Sequence, residues 1–162
     1  MLVCDTSVEV RREDFCASEE QRALQSKLAD KDAAPGAIAS FVGLVRAEHD
    51  AGLGALQALE LEHYPAMTEQ ALGDICGRAA GQWQLIGCRV IHRVGTIPCG
   101  EQIVLVMTAA AHRGDAFAGC EYIMDYLKTS APFWKKACYA AGERWVKARD
   151  SDEQRLDRWA RS

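Results

Sequence analysis

The sequence has no C-x-x-C pair. Its seven cysteines (Cys4, Cys16, Cys76, Cys88, Cys99, Cys120 and Cys138) are odd in number and scattered, which argues against a disulfide framework and against a structural zinc site. They read as small apolar fillers in a reducing compartment, with a nucleophilic cysteine as the alternative. His49, His63 and His92 show no metal-ligand spacing. The opening "MLVCDTSVEV" lacks a basic n-region and a long apolar run, so no secretory signal is expected. The most apolar stretch, "IVLVMTAAA" (103–111), is too short to cross a bilayer as a helix. No internal repeat, low-complexity segment or linker breaks the chain. The net charge of −4 does not suggest a nucleic-acid surface. These absences leave a soluble, cytoplasmic protein as the expectation, without nucleic acid or membrane as partner.

What is present fits one domain. The chain has 162 residues, 49% apolar and 26% charged, enough to bury a core without disulfides or metals. Charge is uneven along it. Residues 1–33 carry five basic and eight acidic side chains, whereas residues 112–149 carry seven basic and four acidic. A locally basic segment in an acidic protein could hold an anionic small molecule or an acidic partner, or be uneven surface charge and nothing more.

Periodicity gives the order β-α-β-β-α-β-β-α-β-β, an α+β domain with a mostly antiparallel sheet and packed helices. Ser18 with Gln21 resembles a capping box, and Thr68 and Asp115 are expected helix N-caps. "RAEHDAGLG" (46–54) reads as an exposed, mobile loop. "CRVIHRV" and "EQIVLVMTAA" read as paired strands joined by the turn "GTIPCG". One face of the second helix holds Met67, Ala71, Leu72, Ile75, Cys76 and Ala79, and one face of the third holds Phe117, Cys120, Met124 and Leu127. Two short strands are expected around Gly142, then a charged, loose C-terminus from about residue 150, with Trp159 docked.

The chemistry concentrates late in the chain. His112 and Arg113 lie between a strand and a helix start, where free N–H groups favour an anion. In "YLKTSAPFWKK" (126–136), Pro132 must stop the helix, because the residue before a proline avoids helical geometry. Lys128 and Lys135 then belong to two elements and can face one pocket. Phe133 and Trp134 are expected to turn inward. Apolar walls beside Lys128 would make it a usable acid, base or nucleophile. Arg46, at a strand end, reads locally as a surface charge.

Six segments occur in order: "SFVGLVR" (40–46), "LELEHYPAMTE" (59–69), "VIHRVGTIPCGE" (90–101), "AHR" (111–113), "YIMDYLKTSAPFWK" (122–135) and "GERWVKARDSD" (142–152). Together they resemble the large, catalytic subunit of molybdopterin synthase, the MoaE family. The likeness runs from about residue 36 to 159, with residues 1–35 weakly matched, in one domain covering 1–162. It implies a hammerhead-type α+β fold. It implies a sulfurtransferase that converts cyclic pyranopterin monophosphate to molybdopterin, the dithiolene ligand of the molybdenum cofactor. The sulfur would come from the C-terminal Gly-Gly thiocarboxylate of a small ubiquitin-like partner. The family assembly is a homodimer within a heterotetramer, and the large subunit takes no cofactor and no metal.

Residue by residue, the likeness makes Lys128 and Lys135 catalytic and assigns substrate binding to Arg46, His112, Arg113, Lys128, Lys135 and Lys136. Phe41, Met124 and Arg149 match further pocket positions. Three positions depart from the family's common pattern: Ala47 stands for asparagine, Ala66 for glycine and Ala137 for an acidic residue. A relative that keeps the partner groove without chemistry, or an unrelated enzyme or sensor for a phosphorylated metabolite, are the competing readings.

Overall fold

A computed structural model describes residues 3–31, 33–147 and 150–160. The elements run β1 (Asp5–Arg11), α1 (Ala17–Ala29), β2 (Ala37–Leu44), β3 (His49–Asp50), β4 (Gly54–His63), α2 (Met67–Trp83), β5 (Gly87–Arg93), β6 (Gly95–Pro98), β7 (Gln102–Ala110), α3 (Arg113–Ser130), β8 (Phe133–Tyr139), β9 (Gly142–Trp145) and α4 (Asp150–Ala160). The expected α+β order is all there, with β3, β6 and α4 added.

Two sheets organise the chain. The first has the order β1-β5-β7-β2, antiparallel except for the parallel β1–β5 pair. Both faces of its centre are buried, which explains why β7 reads as an unbroken apolar run. Leu105, Met107 and Ala109 face α1, with Leu24 and Leu28. Val104, Val106 and Ala110 alternate to the other face, into the larger core with Leu72, Ile75, Cys76 and Ile123. Strand side chains point to opposite faces in turn, so one strand serves both layers. The second sheet runs β3-β4-β8-β9, with β6 on β4. The expected β5–β7 pairing forms, and the segment between them folds into β6, which crosses to the second sheet.

Several local expectations are corrected. Cys16 holds the N-cap of α1. The N-cap of α2 is Ala66, and Thr68 is instead buried, its hydroxyl donating to the Pro132 carbonyl at 3.3 Å. His112 is the N-cap of α3, with Asp115 in its first turn. The buried stripe of α3 is Ala116, Cys120, Ile123 and Leu127, leaving Phe117 exposed. Met67 is exposed too. The 46–54 stretch is a built hairpin: Asp50 accepts the N–H groups of Gly52 and Leu53 at 2.9 and 3.0 Å and pairs with Arg144 at 2.9 Å. The C-terminal segment is helical. Trp159 Nε1 donates to Asp125 at 2.8 Å, and its ring packs edge-on against Trp83 and Tyr122.

Pro132 acts as expected. Helix α3 stops at Ser130, and Ala131 takes extended geometry (φ −79°, ψ 133°). Gly36 pins the other end of that helix. A Cβ there would come within 2.1 Å of the Ala111 carbonyl oxygen, so only glycine lets the entry to β2 lie against the β7–α3 junction.

Candidate functional site

Helix α3 carries candidate cations at both ends. His112 and Arg113 are exposed at its N-terminal end, and Lys128 is exposed in its last turn. Fifteen residues of helix separate Arg113 from Lys128, roughly 22 Å at 1.5 Å per residue. One chain therefore does not bring the two groups into one pocket. Lys128 is exposed in this chain, so the apolar walls expected beside it are not provided by this chain alone.

Topology sorts the remaining residues. Because α3 follows β7 and packs back along it, the Lys128 end returns towards the start of β7. Arg46 lies there as well: β2 ends where β7 begins, and Val45 is held by backbone bonds to Glu101 and Gly100. Arg46 is exposed, 3.9 Å from Glu48. Met124 is half-buried one turn before Lys128, on the same helical face. Phe41, 41% exposed, projects from the edge strand β2 in register with Val106, on the α3 side of the sheet. Arg149 lies outside the described residues.

Strand β8 separates the two neighbouring lysines. Lys135 is in register with Leu61 and shares its face with Phe133 and Ala137. Lys136 points the other way. It lies 3.3 Å from both Glu60 and Glu143 and 5.8 Å from the centre of the Trp145 ring. Hydrogen bonds donated by Lys136 to Glu143 and then to Glu60 push its pKa up. Lys136 is thus an ion-paired residue of the outer face, apart from Lys135. Ala137 is buried on the Lys135 side, so a methyl group stands where the family commonly has a carboxylate. Phe133 turns inward as expected, whereas Trp134 is 43% exposed and packs edge-on against Tyr64.

Sequence reasoning left His92 as a half-buried strand histidine. It is 5% exposed and stacks on Phe133, with ring centres 3.9 Å apart and planes 21° apart. Its Nδ1 lies 2.8 Å from the Arg93 carbonyl. Burial lowers its pKa to about 3, the Arg93 bond opposes that, and the charges of Lys135 and His63 add to it. The imidazole is therefore neutral over the working range. Its alternation with Val90 on β5 was the available signal, but only the fold reveals that this face meets β8.

The cysteines behave as fillers where they are buried. Burial pushes Cys120 up to about 11 and helps to raise Cys88, whose largest cause is its hydrogen bond with Cys76. Cys16 is exposed and lowered by the Ser18 hydroxyl, then by the Glu19 N–H, but sits at the start of α1, remote in sequence from these lysines. Among the described residues, no group of three or more His, Cys, Asp or Glu side chains could hold a metal ion. No helix among them is long and apolar enough to cross a membrane.

Fold and site together define a single α+β domain presenting cations from strand and helix ends, an arrangement suited to anionic ligands. The family model described as MoaE protein matches residues 10–130. The chain is 49% identical over 156 residues to the molybdopterin synthase catalytic subunit of Vibrio cholerae, covering 96% of this chain and 99% of that one. It is 57% identical over 124 residues to the protein of the same name from Ralstonia nicotianae, covering 76% and 69%. The solved structure of a molybdopterin biosynthesis MoaE protein from Burkholderia ambifaria aligns with a TM-score of 0.78 at 46% identity, over 96% of this chain and 98% of that one. The chain belongs to the MoaE family.

Proposed function

We propose that this chain is the catalytic subunit of a molybdopterin synthase. It transfers sulfur from the C-terminal thiocarboxylate of a small ubiquitin-like partner to cyclic pyranopterin monophosphate, forming the dithiolene of molybdopterin. The observation that carries the reading is the Pro132 break, which sets Lys128 at a helix end and Lys135 on the inward face of the next strand. Lys135 is the cation for the incoming thiocarboxylate, an anion that gains most from a charge-assisted partner in a partly dry slot. Lys128 is the proton donor or acceptor for the C–O cleavage that accompanies sulfur addition. Partner tail and substrate supply the walls that the single chain lacks around Lys128.

His112 and Arg113 bind the substrate phosphate, and they do so for the neighbouring copy. A separation of roughly 22 Å along α3 is too long for one small substrate to bridge. A homodimer that sets the N-terminal end of α3 from one copy against the Lys128 end of the other completes the pocket, and one small subunit serves each pocket. Arg46, Phe41 and Met124 line it. Lys136 is left out of it, held by Glu60 and Glu143. The work takes place in the cytoplasm, where unpaired thiols persist.

The test mixes the protein with a thiocarboxylated small subunit and cyclic pyranopterin monophosphate and assays the dithiolene. Product formation is expected. Partner binding without product would favour a non-catalytic module, and neither would remove the family activity from this chain.

A further inference from the structure

Two contacts from outside its own sheet decide where β8 begins. The Thr68 hydroxyl, fully buried in α2, donates to the Pro132 carbonyl at 3.3 Å. One residue on, Phe133 lies flat on His92 of β5. The first sheet thereby reaches across the core to the first residue of a strand in the second. Phe133 and Lys135 project from the same side of β8, and His63, opposite Phe133 in the register, is on that side too.

A histidine is a costly choice for this place. A leucine or phenylalanine would fill it without desolvating a polar ring. What histidine adds is orientation. The Arg93 carbonyl can only accept, so Nδ1 carries the proton and Nε2 is left as a lone-pair acceptor. Arg93 is itself fixed, donating to the carbonyls of Arg12 at 3.1 Å and Gln102 at 2.8 Å and to Glu101 at 3.1 Å. The ring is therefore held both in rotation and in tautomer. A charged ring here would repel Lys135; a neutral one does not.

We propose that His92 is a positioning residue for Lys135, fixing through its stack on Phe133 where β8 delivers the Lys135 ammonium. This rests on the reading of Lys135 as the cation that receives the thiocarboxylate tail. His92 touches neither substrate nor tail. It acts on the strand that carries the lysine, so its loss should weaken capture of the tail and leave the chemistry at Lys128 intact.

The experiment uses the full-length protein with its thiocarboxylated small subunit and compares His92→Leu, His92→Phe and Phe133→Leu with the parent. Two readouts are taken: the Lys135 Nζ resonance by ¹⁵N NMR, and KM for the small subunit against kcat. In His92→Leu and Phe133→Leu the Nζ resonance is expected to move and KM to rise about tenfold, with kcat within about twofold. His92→Phe, which keeps a ring under Phe133, should recover part of the KM. An unmoved Nζ resonance with unchanged KM in a folded variant overturns the proposal, as does a fall in kcat with KM constant. Phe133→Leu carries the test if the His92 variants do not fold. Should Lys135→Ala leave KM unchanged, the role given to Lys135 fails, while the Nζ resonance still reports whether His92 positions it.

Discussion

Ala66 holds φ +65° and ψ −50° at the start of α2, a region that side chains rarely adopt. The departure from the family's common glycine thus falls on a residue where glycine has a physical reason. Ala66→Gly should relieve the strain and raise stability by about 1 kcal/mol, read as a higher urea midpoint at unchanged slope. His92 gives a second residue-scale expectation. Its ordinary value is 6.5 and its folded value about 3. Between these the unfolded chain binds the extra proton, so stability is full above the unfolded pKa and falls as pH drops below it. The slope is about 1.4 kcal/mol per pH unit. Carboxylates with lowered values, such as Asp5 and Glu9, add their own losses only at more acid pH. Urea melts between about pH 6.5 and 5 isolate the histidine, and His92→Phe should flatten that slope.

At the scale of elements, the hydrophobic periods were legible and the added pieces were not. Leu72, Ile75, Cys76 and Ala79 mark α2 by spacing alone, and Pro132 announces the end of α3. Strand β6 was hidden because Gly95 and Pro98 signal a turn, while its pairing with Leu59 and Leu61 is set by distant chain. Helix α4 was hidden because its own sequence is mostly charged. It is held by contacts made on α3: Arg158 lies 2.6 Å from Glu121 and 3.2 Å from Asp125, beside the Trp159 bond. Asp125, buried at 5% exposure, would be costly without them. Trp159→Phe removes one donor and should cost about 1–2 kcal/mol, with faster amide exchange confined to residues 153–160.

For the whole molecule, the family was legible in the sequence and the arrangement of the candidate site residues was not. The sequence motifs group Lys128, Lys135, His112 and Arg113, but a count along α3 puts Lys128 and the His112–Arg113 pair at opposite ends of that helix. Lys136 matched by position, yet strand alternation turns it to the outer face. The proposed two-copy pocket makes a direct prediction: Lys128→Ala and Arg113→Ala, each inactive, regain activity when mixed and re-associated. Random pairing restores an intact pocket in roughly a quarter of sites. A site built within one copy would regain none.

The most direct measurement is single-turnover formation of the dithiolene by the Lys128→Ala dimer, with thiocarboxylated small subunit and cyclic pyranopterin monophosphate both saturating. The proposed role predicts a loss of at least about a hundredfold in rate, with dimerisation and small-subunit binding intact. A rate near that of the parent would contradict it.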